Sequence, residues 1–106
     1  MQISHLDHLV LTVRDIPRSL DFYSRVLGMQ PVVFGQGRHA LSFGQQKINL
    51  HQAGAEFEPK ATHPLPGSAD VCFIVKDRLD VVIEQLHAQG VKILEGPVMR
   101  TGARGP

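Results

Sequence analysis

Hydrophobic and polar positions along the chain fall into short runs broken by glycine, proline and charge. Residues 6–13, LDHLVLTV, are rich in Leu, Val and Thr and too short for a helix before the next break, so they predict a strand. Side chains alternate across a strand, which sets Leu9, Leu11 and Val13 on one face and His8, Val10 and Thr12 on the other. Arg14 and Asp15 end it, and Pro17 suits the first turn of a helix, where its missing N–H costs nothing. Ile16, Leu20, Tyr23 and Leu27 recur behind it at helical spacing, and Gly28 stops the run at a left-handed cap. Three strand-length pieces follow at 30–34, 38–43 and 47–52, with glycine-bearing joints between them, the pattern of an antiparallel meander. In the last piece Ile48 and Leu50 share the apolar face, so Asn49 and His51 face the other way.

Residues 54–69 hold three prolines and no periodicity, and predict a surface connector. Residues 70–75, DVCFIV, predict a further strand. A helix over Leu79, Val82, Ile83 and Leu86 follows and stops at Gly90, and 91–94 predict one more strand. The two halves align at a constant offset of 62: Asp70 falls on His8, Lys76-Asp77 on Arg14-Asp15, and Gly90 on Gly28. This predicts one domain over 1–106: a first module at 1–53, the connector, and an incomplete second module at 70–106.

Composition narrows the function. Eleven Lys and Arg against ten Asp and Glu leave a net charge of +1, so there is no basic field for nucleic acid or a membrane surface. A single cysteine, Cys72, excludes a disulfide framework and suits a reducing, cytoplasmic setting. No apolar run approaches a membrane span, and no nucleotide loop or nucleophile elbow is present.

Six histidines are the unusual feature. His8 and Asp70 hold equivalent places in the two halves, each on the strand face turned away from the helix, and His51 and Asn49 share that side on the fourth strand. Two imidazoles and one carboxylate can hold a first-row divalent metal and leave positions open for substrate. His8, His51 and Asp70 are therefore the candidate metal ligands, with iron, manganese, nickel or zinc all compatible. The plain alternative is that a lone strand histidine is a hydrogen-bonded structural residue. Arg38, at a strand start, and Asn49 are the candidate substrate-binding residues. His5, His39, His63 and His87 read as surface or structural groups, Cys72 as packing, and Arg100 and Arg104 as solvated.

The segment LDHLVLTVRDIPRSLDFYSRVLGM resembles the opening of the vicinal oxygen chelate superfamily, which includes glyoxalase I, bleomycin-resistance proteins and extradiol dioxygenases. The matching pieces are the strand histidine His8, Asp15 after it, and the helix end Phe22, Tyr23, Val26, Leu27 and Gly28. KINLHQ and EFEPKA are similar to a glyoxalase-domain, virulence-associated branch. The resemblance implies an α+β fold of two paired βαβββ modules that form a cupped, mostly antiparallel sheet around a divalent metal. It also implies ligands on the first and last strands of each module, and a final glutamate on a strand that this sequence does not reach. His8 matches the first ligand, Asp70 stands where many members have histidine, and Asn49 or His51 stands where glyoxalases have Glu or Gln. The implied activity is metal-dependent lyase, isomerase or ring-cleaving chemistry on a small vicinal-oxygen substrate, with no general base identifiable. The alternative is a metal-free protein that sequesters a small molecule. A third expectation, from the unpaired strand edges of an unfinished module, is a homodimer.

Overall fold

The computed structural model describes residues 1–98. Its contacts divide the chain into two compact units, Met1–Phe73 and the residues from Ile74 onward. The first unit contains β1 (Leu9–Val13), α1 (Ile16–Asp21), β2 (Gln30–Phe34), β3 (Arg38–Phe43) and β4 (Gln46–Gln52). The strands form one open sheet in the order β1-β4-β3-β2. The two central pairings are unlike: β1 runs parallel to β4, while β3 runs antiparallel to β4 and β2. With α1 crossing between β1 and β2, this is the mixed α+β architecture that the residue pattern predicts.

Each turn of this unit has a local cause. The Asp15 side chain accepts a hydrogen bond from the Arg18 amide at 3.0 Å and caps α1, with Pro17 in the first turn. Ser24 Oγ donates to the Leu20 carbonyl at 2.6 Å, a competitor for the helical ladder, and the chain continues from Phe22 to Val26 as a wider π-helical segment. Gly28 then turns left-handed at φ 72°, which lets its own amide reach the Ser24 carbonyl and the Met29 amide reach Tyr23.

One face of the sheet builds the core. Leu11, Leu41, Ile48 and Leu50 are buried on it with Met29, and Ile16, Leu20 and Tyr23 from the helical stretch pack against them. The parallel register sets Leu9 beside Ile48 and Leu11 beside Leu50, so the alternation read from the sequence maps onto this face. At its end Gln52 ties the β1–α1 corner. Its side chain accepts from the Ile16 amide at 3.1 Å and donates to the Arg14 carbonyl at 2.6 Å.

The second unit contains α2 (Leu79–Ala88), whose half-buried residues Val82, Ile83 and Leu86 form its apolar stripe. Its end resembles that of the first helical stretch, with Gly90 left-handed at φ 73°. Residues 70–75 and 91–94 carry no sheet ladder among the described residues, contrary to the strands that their apolar runs predict. An apolar run expresses a preference for burial, whereas a strand also needs a neighbour for its backbone donors and acceptors. Ile74 and Leu94, at 94% and 89% exposure, are the least covered large hydrophobic residues of these runs. Among the described residues no helix is long and apolar enough to cross a membrane.

Candidate functional site

The sheet face opposite the core carries the chemistry. Pairing sets Val10 beside Asn49 and Thr12 beside His51 across β1 and β4, and Ala40 beside Asn49 across β3 and β4. Arg38 lies one residue before His39, which pairs with Leu50, so the same register brings Arg38 level with His51. His51 is only 6% exposed, and its Nδ1 has no hydrogen-bond partner. The Oδ1 of Asn49, two residues away on the same face, is likewise buried without a partner. A buried polar atom left unpaired costs roughly 1–3 kcal/mol, and most folded proteins avoid it.

Phe57 lies against His51. Its ring meets the His51 ring edge-on at 6.1 Å between centroids, and the Arg38 guanidinium lies 4.3 Å from its centre. A second cation crosses the same face, with Lys47 Nζ 3.8 Å from the centre of the Phe34 ring. The segment that carries Phe57 is fastened by Glu56, which accepts a hydrogen bond from the Gly54 amide at 2.6 Å and faces Lys60 at 3.8 Å. The Gly54 amide, more than any nearby charge, holds the Glu56 carboxyl below its ordinary value. Arg38, His51 and Phe57 thus make a cationic and aromatic corner with polar atoms beneath it.

The predicted metal ligands are placed differently. His8 precedes β1 and is exposed; its Nδ1 meets the Asp7 carboxylate at 2.7 Å, and that contact keeps Asp7 below its ordinary value. Asp70 is exposed and lies outside the strands. Four residues separate His8 from Thr12, the neighbour of His51, so the two histidines stand roughly 13 Å apart along the strands. Nitrogen ligands bind such metals at about 2.0–2.1 Å, and no contact between the two rings is seen among the described residues. Asn49, beside Val10, lies closer to His8 than His51 does. Among the described residues no three His, Cys, Asp or Glu side chains gather as a metal site. As placed here, His8, His51 and Asp70 are not gathered into one site.

Two hollows flank the face. A pocket of about 150 Å³ is lined by Asp7, His8, Lys47, Cys72 and Phe73, and Cys72 is exposed there, contrary to its expected role in packing. A groove of about 480 Å³ runs along β1, lined by Val10, Thr12, Tyr23, Pro66 and Phe73. Its lining mixes polar and apolar side chains, Arg14 and Ser19 among them, and includes neither Asn49 nor His51. Arg100 and Arg104 fall outside the described residues.

The glyoxalase/bleomycin resistance protein/dioxygenase superfamily model matches residues 5–105. The chain belongs to this superfamily. Among its relatives, the glyoxalase domain-containing protein RDO1 of Mycosarcoma maydis is 55% identical over 106 residues, which are 100% of this chain and 60% of that protein. The chain therefore spans little more than half the length of that curated relative. Virulence protein STM3117 of Salmonella typhimurium is 55% identical over 105 residues, 99% of this chain and 73% of that protein. Among solved structures, the integron cassette protein VCH_CASS1 from the mobile metagenome of V. cholerae has 62% identity and a TM-score of 0.96. That match covers 99% of this chain and 82% of the other. The resemblance read from His8 and the FYSRVLG helix end thus points to the right superfamily.

Within that superfamily fold, sequence reasoning singles out His51, Asn49 and Arg38 but passes over Phe57 and Glu56. Those two sit in an aperiodic connector, where no alternation tells which way a side chain points. The available signal is their place directly after β4, the strand that carries His51.

Proposed function

We propose that this chain is a small-molecule-binding domain of the glyoxalase/bleomycin resistance/dioxygenase superfamily, with its site on the open face at Arg38, Asn49 and His51. One observation carries the reading: His51 Nδ1 and Asn49 Oδ1, on alternate residues of β4, are buried without partners among the described residues. A fold that needed these groups only for packing would be served better by apolar side chains of similar size. A ligand that pairs with both atoms removes their cost on binding. Phe57 and Arg38 supply the stacking surface and the charge. The superfamily includes proteins that bind small molecules without transforming them, and this reading places the chain with them.

The test is a titration of the ring and side-chain amide resonances of the full chain with a panel of small organic acids, phenols and amines. At least one compound at millimolar concentration is expected to move the His51 ring and the Asn49 amide while leaving the Gln52 amide on the core face still. A panel in which nothing moves either group contradicts the reading.

A second reading, metal-dependent lyase, isomerase or dioxygenase chemistry, is favoured by one observation at His8. The Asp7 carboxylate on Nδ1 leaves Nε2 as the outward nitrogen, the arrangement by which carboxylates orient metal-bound imidazoles. It needs more donors than the described residues bring to His8. Metal analysis decides: stoichiometric iron, manganese, nickel or zinc that disappears in His8→Ala supports it, and no bound metal in either protein removes it.

A further inference from the structure

The open face also specifies what kind of molecule it takes, an inference that rests on the binding reading above. Three recognition elements are fixed by the strands. The Arg38 guanidinium is a cation whose flat face is already against an aromatic ring, 4.3 Å from the Phe57 centre. Guanidinium groups pair with carboxylates through parallel hydrogen bonds and still stack on rings, so one edge remains available to an anion. His51 stands level with Arg38 and presents Nδ1 with no partner, and a neutral imidazole can carry its proton on that nitrogen. Asn49 Oδ1 is an acceptor only, so its partner must donate a hydrogen.

Spacing sets the third requirement. Asn49 and His51 are alternate residues of β4, about 6.6–6.8 Å apart along the strand. The Phe57 ring, its centroid 6.1 Å from that of His51, is the aromatic surface that a ligand ring would meet. Among the described residues no ion pair joins a carboxylate to Arg38; Glu56 is engaged by the Gly54 amide and Lys60. Lys47 on the same face adds a second positive charge.

We propose that the open face binds an aromatic hydroxy acid, with its carboxylate on Arg38 and His51 Nδ1 and its ring hydroxyl donating to Asn49 Oδ1. The ring lies against Phe57, which moves aside to admit it. No covalent step is involved. The geometry distinguishes this class from simple aromatic acids, which leave Asn49 unpaired, and from simple phenols, which leave Arg38 without an anion.

The experiment is calorimetric titration of the full chain with 4-hydroxybenzoate, benzoate and phenol, repeated with Arg38→Gln and Asn49→Leu. The hydroxy acid is expected to bind about tenfold more tightly than either single-function probe, the effect of one well-made hydrogen bond to a buried or charged group. Asn49→Leu should bring 4-hydroxybenzoate down to the affinity of benzoate, and Arg38→Gln should bring it down to that of phenol. Asn49→Leu removes an unpaired atom rather than a contact, so a folded variant is expected, and its circular dichroism checks this. Equal affinities for the three probes, or affinities that ignore both substitutions, overturn the ligand class. If these probes leave the His51 ring unmoved while another compound of the wider panel shifts it, the ligand class fails and the binding reading stands. If no compound of either set shifts it, both fail.

Discussion

The two faces of the same four strands obey different rules. On the core face Leu11, Leu41, Ile48 and Leu50 are buried, helix residues cover them, and the polar Gln52 at its edge makes a hydrogen bond with each end of its amide. On the open face His51 is buried almost as completely, yet its Nδ1 and the neighbouring Asn49 Oδ1 find no partner among the described residues. Burial is therefore common to both faces, and satisfaction is confined to one. Folding alone accounts for the first face. The second carries a cost that folding does not offset, and such sites are where proteins give up stability for function.

The largest way to sharpen this contrast is to cut into the core face. Leu41→Ala removes a side chain with 0% exposure and should cost about 2–5 kcal/mol, read as a lower urea midpoint. A loss below about 1 kcal/mol would mean that this face is not packed as described. The next effect is at Gln52. Gln52→Ala leaves the Ile16 amide and the Arg14 carbonyl without their side-chain partner, and should cost on the order of 1–3 kcal/mol. Here a polar group stabilises because both its ends are used, the reverse of the expectation for Asn49.

How much of this difference is legible in the sequence depends on the kind of information involved. Alternation assigns Ile48 and Leu50 to one face and Asn49 and His51 to the other, and glycine joints define β2, β3 and most of β4, because both follow from local backbone geometry. Choosing ligands from residue type alone favours His8, His51 and Asp70 as a set. Strand register then sets Asn49, rather than His51, nearer to His8, and register depends on pairing between distant segments. The place of Phe57 is hidden for a different reason, since its segment is fastened by a single local hydrogen bond from the Gly54 amide to Glu56 rather than by any repeat. Residues 70–75 show the opposite case, where a strand-like run has no ladder to join.

The smallest expected effect concerns pH. The Gly54 amide holds the Glu56 carboxyl below its ordinary value, so the folded state favours the ionised form. The stabilisation is fully present above the unfolded value and is lost as pH falls through the lower folded one. The segment over His51 should therefore loosen on acidification below the ordinary 4.5 of this carboxyl. Phe57 ring resonances can follow this, and Glu56→Gln should remove the pH dependence. A Phe57 signal that titrates identically in the variant would assign the loosening to another group.

If the open face is kept polar at the expense of stability, urea unfolding of Asn49→Leu will show it. Replacing the unpaired amide with an apolar side chain of similar size should raise the midpoint, with a gain on the order of 1 kcal/mol. The same measurement on Leu41→Ala should move it down. A lower midpoint for Asn49→Leu would show that the amide is structurally satisfied, and would contradict the claim.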